Sequence, residues 1–160
     1  MNLMYTPKEK FMQKAIAAAR SAYDKNDYAV GAVLVKSGKI IAVAGNRVRI
    51  RHDSTQHAEV LVLQQASKKL KRRYLGDCIL YSTAEPCPMC ASAAVWSKVK
   101  GIVYGSTMQD MKTYQQTHGN KSWSWRTINV PCSYIVSKGT PRPFLVKGFM
   151  RKECIKLFHS

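Results

Sequence analysis

The sequence is poor in acidic residues and has no long apolar stretch. Only nine of its 160 residues are Asp or Glu. The longest apolar run, within residues 28–35, is interrupted by Gly31 and is far shorter than a membrane span. The 9 Gly and 6 Pro are too few for a collagen-like or low-complexity chain. We therefore expect a single globular domain over residues 1–160, with no membrane segment.

An export signal is also missing from the start of the chain. Residues 1–10 contain no apolar stretch of the kind that signal peptides carry. We therefore expect a cytoplasmic protein. In that compartment the five cysteines would be reduced, and would serve metal binding or catalysis before disulfide formation.

The excess of positive charge is large and evenly spread. The net charge is +17, with +10 in residues 1–76 and +7 in residues 77–160. Such a field attracts polyanions, nucleic acid first among them. A solvated lysine-rich surface is the alternative, because net charge bears on association and not on reaction. Two basic groups could contact phosphate: the alternating Arg47, Arg49 and Arg51, which could share one face of an extended segment, and the run Lys68, Lys69, Lys71, Arg72 and Arg73.

Hydrophobic periodicity predicts an α/β fold. Helices are predicted over 9–23, 57–70 and 87–97, and strands over 30–36, 39–45, 78–82 and 101–105. A hairpin followed by alternating helices and strands implies an α/β sandwich with parallel crossovers. Beyond residue 105 the pattern predicts a helix over 108–116, strand pieces over 127–130 and 133–136, and a closing helix over 149–158.

Two short motifs contain residues suited to metal chemistry. Cys87 and Cys90 stand three apart at the predicted start of a helix, where the helix N-terminus and a metal both favour the thiolate. His57 can supply a third ligand. Three protein ligands leave one tetrahedral position of Zn²⁺ open, which is typical of a catalytic site rather than a structural one.

Glu59 follows His57 by two residues, in the first turn of a predicted helix. From there its carboxylate can approach the open position without being a ligand. Zinc lowers the pKa of water to about 7, and a carboxylate that carries the proton to a leaving nitrogen contributes roughly 10²–10⁴ in rate. These groups suit hydrolytic loss of ammonia from an amidine-like ring carbon.

The H-x-E and P-C-x-x-C arrangement is the signature of zinc nucleobase deaminases. The alternative is a structural zinc site, which would leave Glu59 without a role. That site would need a fourth ligand, for which the candidates are Cys78, Cys132, Cys154 and His52. A free cysteine is more often a small buried residue, and we predict that role for Cys78, Cys132 and Cys154.

Around these motifs the sequence resembles the cytidine deaminase superfamily. The resemblance lies in residues 30–35, 45–47, 52–59 and 85–90, and in the ending Glu153-Cys154 with Leu157-Phe158. Two branches are similar: the bacterial tRNA adenosine deaminases and the small guanine and nucleoside deaminases. The resemblance implies a three-layer α/β/α sandwich with a mixed five-stranded sheet, one Zn²⁺ per chain and a homodimer. It also implies that Glu59 is the proton shuttle and that the zinc ligands are His57, Cys87 and Cys90.

Three further positions match residues that contact substrate in these branches. They are Asn46, the backbone N–H of Ala58, and Trp96, which stands where the guanine branch carries an aromatic residue near the substrate. The alternative for Asn46 is an ordinary turn residue. The alternative for Trp96 is a core or dimer-contact residue.

The leading hypothesis is a zinc-dependent hydrolytic deaminase of a nucleobase or nucleoside. A purine such as guanine is preferred, because residues 87–90 and 77–81 look closer to the guanine branch. The alternative is tRNA adenosine-to-inosine deamination, which the charge favours. A second alternative is a non-catalytic, zinc-containing module that binds nucleic acid, and Glu59 argues against it. Residues 106–117 depart from both branches, and Trp123 and Trp125 could stack on a base or pack under the last helix.

Overall fold

The computed structural model describes residues 4–119 and 128–159. Its helices and strands follow in the order α1 (Glu9–Asp24), β1 (Gly31–Lys36), β2 (Lys39–Gly45), α2 (Val48–Arg51), α3 (Ala58–Leu70), β3 (Cys78–Ala84), α4 (Pro88–Trp96), β4 (Gly101–Ser106), α5 (Met108–His118), α6 (Cys132–Ser137), β5 (Phe144–Lys147), α7 (Arg151–Ile155) and a 3₁₀ helix (Lys156–His159). Among these described helices, none is long and apolar enough to cross a membrane.

The five strands form one mixed sheet in the order β2-β1-β3-β4-β5. Strand β1 is antiparallel to β2 and β3, whereas β3, β4 and β5 run parallel to one another. The predicted hairpin is confirmed, and its turn residues Ser37 and Gly38 both have positive φ, as a two-residue hairpin turn of type I′ requires. The mixed five-stranded sheet is also confirmed.

Helices cover both faces of the sheet, as the sandwich prediction requires. On one face α1 and α7 pack on inward side chains that include Val33, Tyr81 and Val103. On the other face α3 and α4 cover Leu34, Leu80 and others. Every residue of the central strand β3 is buried, which is typical of a strand with helices on both sides.

Helix α1 lies unusually close to the sheet. Half of its buried residues are alanine: Phe11, Met12, Ala15, Ile16, Ala19 and Ala22. A Cβ at Gly31 would stand 1.9 Å from the backbone oxygen of Ala15. Only glycine therefore lets β1 pass under this helix.

Two predictions for the second half of the chain are wrong. Residues 133–136, predicted as a strand, lie in α6. Cys132 and Val136 of this helix are buried and α6 packs on α4, so tertiary packing outweighs the β propensity of its Ile-Val pair. Residues 128–130 have no regular structure, and residue 127 lies outside the described residues. The fifth strand is instead β5, beside β4.

Other differences concern short segments. The closing helix begins later than predicted, because Gly148 and Met150 have left-handed φ of 73° and 52°. It ends as a 3₁₀ turn. Residues 48–51 form α2, a single helical turn that the periodicity did not predict. The expected common face of Arg47, Arg49 and Arg51 is therefore wrong, since side chains two apart on a helix point in different directions. Trp123 and Trp125 lie outside the described residues.

Candidate metal centre and active site

The N-termini of α3 and α4 meet beside the carboxyl end of β3. His57 is the N-cap residue of α3, Cys87 is the N-cap residue of α4, and Cys90 follows in the first turn of α4. The Nδ1 atom of His57 lies 3.6 Å from Cys87 Sγ and 3.4 Å from Cys90 Sγ. The structure thus brings together the three predicted ligands, with their ligand atoms all within 4.8 Å of one another.

These distances fit a tetrahedral zinc ion. Zn–S and Zn–N bonds of the usual lengths at a tetrahedral angle place sulfur and nitrogen about 3.6 Å apart. Within residues 4–119 and 128–159 no fourth His, Cys, Asp or Glu joins this group. The three ligand residues can therefore hold a zinc ion with one position open. Cys78, Cys132 and Cys154 are buried elsewhere, as predicted, and His52 ends α2 in an exposed position.

The two thiols share a proton unequally before a metal binds. A hydrogen bond from Cys90, with a further one from His57, lowers the pKa of Cys87 to about 4. The same bond to Cys87, together with burial, raises the pKa of Cys90 well above its usual value. One sulfur is thus already a thiolate at neutral pH, and a divalent cation would draw the proton from the other.

Glu59 stands next to this group and is only 3% exposed. The Cys90 thiol lies 3.6 Å from its Oε2 atom, whereas its Oε1 atom is 3.0 Å from Ser82 Oγ. Burial raises the pKa of the Glu59 carboxyl, although the charge of His57 opposes this. The group can therefore accept and release a proton at Oε2 beside the metal position.

Ser82 is a site residue that the sequence motifs did not reveal. It lies on β3 and is fully buried. Its Oγ is 2.7 Å from the backbone oxygen of Ala84 as well as 3.0 Å from Glu59, and its single hydrogen serves one of these acceptors at a time. A serine in a continuously apolar predicted strand was the available signal, because a buried hydroxyl needs a partner.

A cavity of about 470 Å³ opens in front of these groups. That volume lies within the range of small-molecule sites and suits a nucleobase or nucleoside. Its lining consists of Tyr28, Val30, Asn46, Val48, Ser54, His57, Glu59, Ala84, Glu85, Cys87, Met89, Met111 and Ile128. The apolar side chains suit a flat ring, and the polar ones can orient it.

Asn46 lies in the cavity wall, where a substrate contact was predicted. Its Nδ2 atom donates a hydrogen bond of 3.0 Å to Asp27 Oδ1, and both side chains are buried. A carboxylate can only accept, so the amide nitrogen must face Asp27. The Oδ1 atom of Asn46 is left as a hydrogen-bond acceptor for a ligand.

Glu85 lines the cavity and binds two neighbouring helix starts. Its Oε2 atom accepts from the backbone N–H of Met108 at 2.6 Å, and its Oε1 atom accepts from the backbone N–H of Cys132 at 2.9 Å. One carboxylate thereby holds the starts of α5 and α6 against the site. Glu85 lies within residues 85–90, which carry the family resemblance, but no motif predicts this role.

The structure separates Trp96 from the cavity. Trp96 is the last residue of α4, is 81% exposed and does not line the cavity. The interpretation of Trp96 as a core residue is therefore wrong, while the substrate and dimer contacts stay predictions. The backbone N–H of Ala58 lies between His57 and Glu59 at the start of α3, and its substrate contact also stays a prediction.

The two basic groups lie at different ends of the molecule. Residues 47–51 adjoin the cavity through Val48. The group 68–73 follows the far end of α3, where Arg72 pairs with Asp77 and the ring of Tyr74 contacts Arg73 and Lys98 at 4.6 and 4.1 Å. The first group is therefore the one placed to meet a ligand in the cavity.

Comparisons with known proteins agree with this geometry. Residues 5–106 match the zinc-binding region of cytidine and deoxycytidylate deaminases. The tRNA-specific adenosine deaminase of Buchnera aphidicola subsp. Schizaphis graminum is 36% identical over 150 residues, which are 94% of this chain and 90% of that protein. The guanine deaminase of Bacillus subtilis is 40% identical over 103 residues, which are 64% of this chain and 66% of that protein.

Other matches cover less of the relatives' length or have lower sequence identity. The chain spans 63–66% of the length of three further tRNA-specific adenosine deaminases. A structure solved in a study of A-to-I editing by tRNA deaminases at the wobble position of transfer RNA has a TM-score of 0.72 at 28% identity, over 94% of this chain and 99% of that one. The fold is therefore shared along nearly the whole chain.

Proposed function

The chain belongs to the cytidine and deoxycytidylate deaminase family, and from that premise we propose that it converts adenosine to inosine in transfer RNA. As a member of that family it is a zinc-dependent enzyme that removes an amino group from a nucleobase or nucleoside by hydrolysis. The observation that carries the finer proposal is the match to a tRNA-specific adenosine deaminase over 94% of the chain. Our preference for guanine from sequence has less support, because the guanine deaminase match covers 64% of the chain.

The charge of the protein supports an RNA substrate. A neutral purine gains little from a protein with a net charge of +17, whereas the phosphates of RNA gain affinity and a faster encounter from it. Three arginines lie at or beside α2, which borders the cavity. Positive charge is thus present beside the cavity, which supports a polyanionic substrate.

In the proposed reaction, the carbon–nitrogen bond of the exocyclic amine breaks and a bond from that ring carbon to the oxygen of water forms. Water supplies both protons: one goes to the ring nitrogen and one to the amine, which leaves as ammonia. Zinc held by His57, Cys87 and Cys90 supplies the Lewis acidity that makes water nucleophilic near neutral pH. Glu59 takes the two protons one after the other at Oε2 and delivers one to the ring nitrogen and one to the leaving amine.

Other groups orient the base. Asn46 Oδ1 accepts a hydrogen bond from an N–H of the substrate, and the Ala58 backbone N–H donates one. Ser82 holds Glu59 Oε1, so that the other carboxylate oxygen faces the metal position. Glu85 holds the starts of α5 and α6 beside the cavity.

A substrate panel tests this proposal. Zinc-replete protein is incubated with an adenosine-bearing tRNA, guanine, guanosine, cytosine and cytidine, and ammonia is measured. We expect inosine in the tRNA. The Glu59→Gln variant should keep its zinc and lose roughly 10²–10⁴ in rate. A wild-type rate in this variant would remove Glu59 from the mechanism.

Guanine deamination is the second candidate function. The 40% identity to the guanine deaminase of Bacillus subtilis favours it. Xanthine formed from guanine, without inosine in tRNA, would establish it in place of the tRNA reaction. If no substrate released ammonia while salt-sensitive RNA binding persisted, the protein would be a zinc-containing binding module.

The location, the assembly and the domain organisation stay proposals. We propose a cytoplasmic homodimer whose chain forms a single domain over residues 1–160. Trp96, exposed at the end of α4, is a candidate for the dimer contact. Sedimentation equilibrium of wild type and Trp96→Ala would test the assembly, and a monomeric wild type would contradict it.

A further inference from the structure

A basic surface lies at the end of the sheet opposite the cavity. Strand β3 ends at Ala84, which lines the cavity, and begins at Cys78. Lys36 lies opposite Cys78 in the register of β1 and β3, and the backbone N–H of Lys100 donates to the carbonyl oxygen of Cys78 at 2.8 Å. The seven residues of β3 place this surface about 20 Å from the cavity.

The distal basic surface, as we name it, is formed by residues 36–39, 68–78 and 97–101. These 20 residues contain nine cations and one acidic residue, Asp77, and so carry +8 of the net charge of +17. The cations are Lys36, Lys39, Lys68, Lys69, Lys71, Arg72, Arg73, Lys98 and Lys100. The fold thus gathers nearly half of the net charge at one end of the sheet.

Most of this charge is not neutralised by the protein itself. Asp77 pairs with Lys36 at 3.5 Å and with Arg72. In the described part of the chain, no ion pair involves the other seven cations, and six of those seven are exposed. The helix dipole accounts only for the two cations in the last turn of α3. The remaining charge is therefore available to an anionic partner.

An exposed aromatic ring orders two of these cations. Tyr74 is 41% exposed. The guanidinium carbon of Arg73 lies 4.6 Å from the centre of its ring, and Lys98 Nζ lies 4.1 Å from it. A ring attracts a cation without neutralising its charge. The two cations are thus held in place before a ligand binds, which reduces the entropy that they lose on contact with a phosphate.

The chemistry of the surface fits a chain of phosphates. Positive charges spread over three segments suit the regularly spaced phosphates of a nucleic acid, whose neutralisation releases counterions. A membrane surface is a poorer fit, because proteins that lie on anionic lipid combine cations with inserted apolar side chains. Within the three segments, Tyr74 is the one exposed large apolar residue, and it is already in contact with Arg73 and Lys98.

We propose that the distal basic surface binds the phosphate backbone of RNA independently of the cavity. The choice of RNA among polyanions rests on the proposed function, in which RNA is the substrate. Phosphate contacts carry no sequence information. The surface therefore increases the affinity for RNA without selecting the base that is deaminated.

A fully paired RNA duplex isolates this surface, because a base inside a duplex cannot reach an active site. The duplex has about 16 base pairs, the length that a double-stranded-RNA-binding domain spans. Its binding to the zinc-replete protein is measured over a range of salt concentrations. In the triple variant Lys68→Gln, Arg73→Gln, Lys100→Gln we expect binding about tenfold weaker at low salt, because three exposed ion pairs are lost. The salt slope should fall by about three.

The matched control is the triple variant Lys14→Gln, Arg20→Gln, Lys152→Gln. It removes the same charge from exposed positions of α1 and α7, on the other face of the sheet. This control should bind the duplex nearly as wild type does. Equal weakening in both triple variants would show that RNA responds to net charge alone, and would overturn the proposed surface.

Substitution of Tyr74 tests the ordering of the cations, because it changes no formal charge. Tyr74→Leu removes the ring and should weaken duplex binding about two- to fivefold. Tyr74→Phe keeps a ring and should bind nearly as wild type does. Wild-type affinity in Tyr74→Leu would overturn the role of the ring.

The outcomes separate this inference from the proposed function. If wild-type protein deaminates tRNA and the distal triple variant binds the duplex as wild type does, the surface is overturned and the function stands. If the protein deaminates no RNA, and only the distal variant loses duplex binding, the function is overturned and the surface stands. Vesicles of phosphatidylserine and phosphatidylcholine in equal parts provide the membrane comparison. Loss of vesicle binding with duplex binding unchanged would overturn the assignment to RNA. Thermal melting and zinc content show whether each variant is folded.

Discussion

The inner wall and the mouth of the cavity are built in different ways. On the inner wall, His57, Cys87 and Cys90 stand at the starts of two helices beside the buried strand β3. At the mouth, Tyr28, Asn46 and Arg49 belong to connecting segments and to a single helical turn. The inner wall is thus held by regular backbone structure, and the mouth is held by the hydrogen bonds of Asp27.

This difference has a physical consequence for each side. A metal site needs ligand atoms fixed within fractions of an ångström, which helices packed on a sheet provide. A mouth that selects among substrates can vary while the chemistry is kept. The cost of that arrangement is that the orientation of the mouth depends on one carboxylate.

The largest expected effect is on the inner wall, from the removal of one metal ligand. In Cys90→Ala, two ligands remain, so we expect loss of zinc and a fall in rate of roughly 10³ or more. Zinc content is measured by plasma emission and activity by ammonia release. Cys78→Ala is the control, because Cys78 is equally buried at the opposite end of β3. Zinc-replete and active Cys90→Ala would contradict the assignment of the ligands.

An intermediate effect is expected at the mouth. Asp27→Asn removes the charge and part of the accepting capacity from the four hydrogen bonds, and it lets the Asn46 amide turn over. Hydrogen bonds to charged groups contribute about 1.5–3 kcal/mol each, so kcat/KM should fall roughly 10–100-fold. We expect the loss mainly in KM, with zinc content unchanged.

Asp53→Asn provides the comparison for Asp27. Asp53 also caps a turn through its carboxylate, accepting from Thr55 and Gln56, but it is not bonded to Asn46. Its substitution should leave KM nearly unchanged. If both variants changed KM equally, the mouth would depend on the whole segment and not on Asp27, and the contrast with the inner wall would be lost.

The same contrast explains which parts of the site could be predicted from sequence. His57, Glu59, Cys87 and Cys90 lie in two compact motifs, each at the predicted start of a helix, so their roles and positions could be inferred. Asp27 lies in a short connection between α1 and β1, where an acidic residue is ordinary turn chemistry. Its hydrogen-bond partners are 1 to 23 residues away, and no local pattern encodes that pairing.

A signal for the missed residues was nevertheless present in the composition. Of the nine acidic residues, three are buried: Asp27, Glu59 and Glu85. All three belong to the cavity or bond to its lining. A buried carboxylate needs a hydrogen-bond partner or a function, and in these three residues it has both.

The same limit applied to the fold. The sheet through β4 was predictable because each strand is a short, mainly apolar run that is bounded by helices or by the hairpin turn. Strand β5 has only four residues, none of them fully buried, and α6 contains residues that prefer strands. Such segments take their structure from the surface they pack on, which is formed by elements distant in sequence.

The smallest effect is expected for an ion pair that belongs neither to the inner wall nor to the mouth of the cavity. It shows how much a change elsewhere in the fold affects substrate binding. Arg151 donates two hydrogen bonds to Asp110, and these bonds, followed by those from Thr107, lower the pKa of the Asp110 carboxyl. Because the folded pKa is depressed, this stabilisation is present above the unfolded pKa of about 4 and is lost as the pH falls through the folded value. Arg151→Ala should therefore lower the melting temperature by about 1–3 °C at pH 7, and by progressively less as the pH falls below about 4. Lys152→Ala is the control at the neighbouring exposed position. Neither variant should alter KM, because the Arg151–Asp110 pair links α7 to α5 and neither residue lines the cavity. A rise in KM as large as that of Asp27→Asn would show that substrate binding responds to any loosening of the surrounding helices, and that Asp27 has no special hold on the mouth.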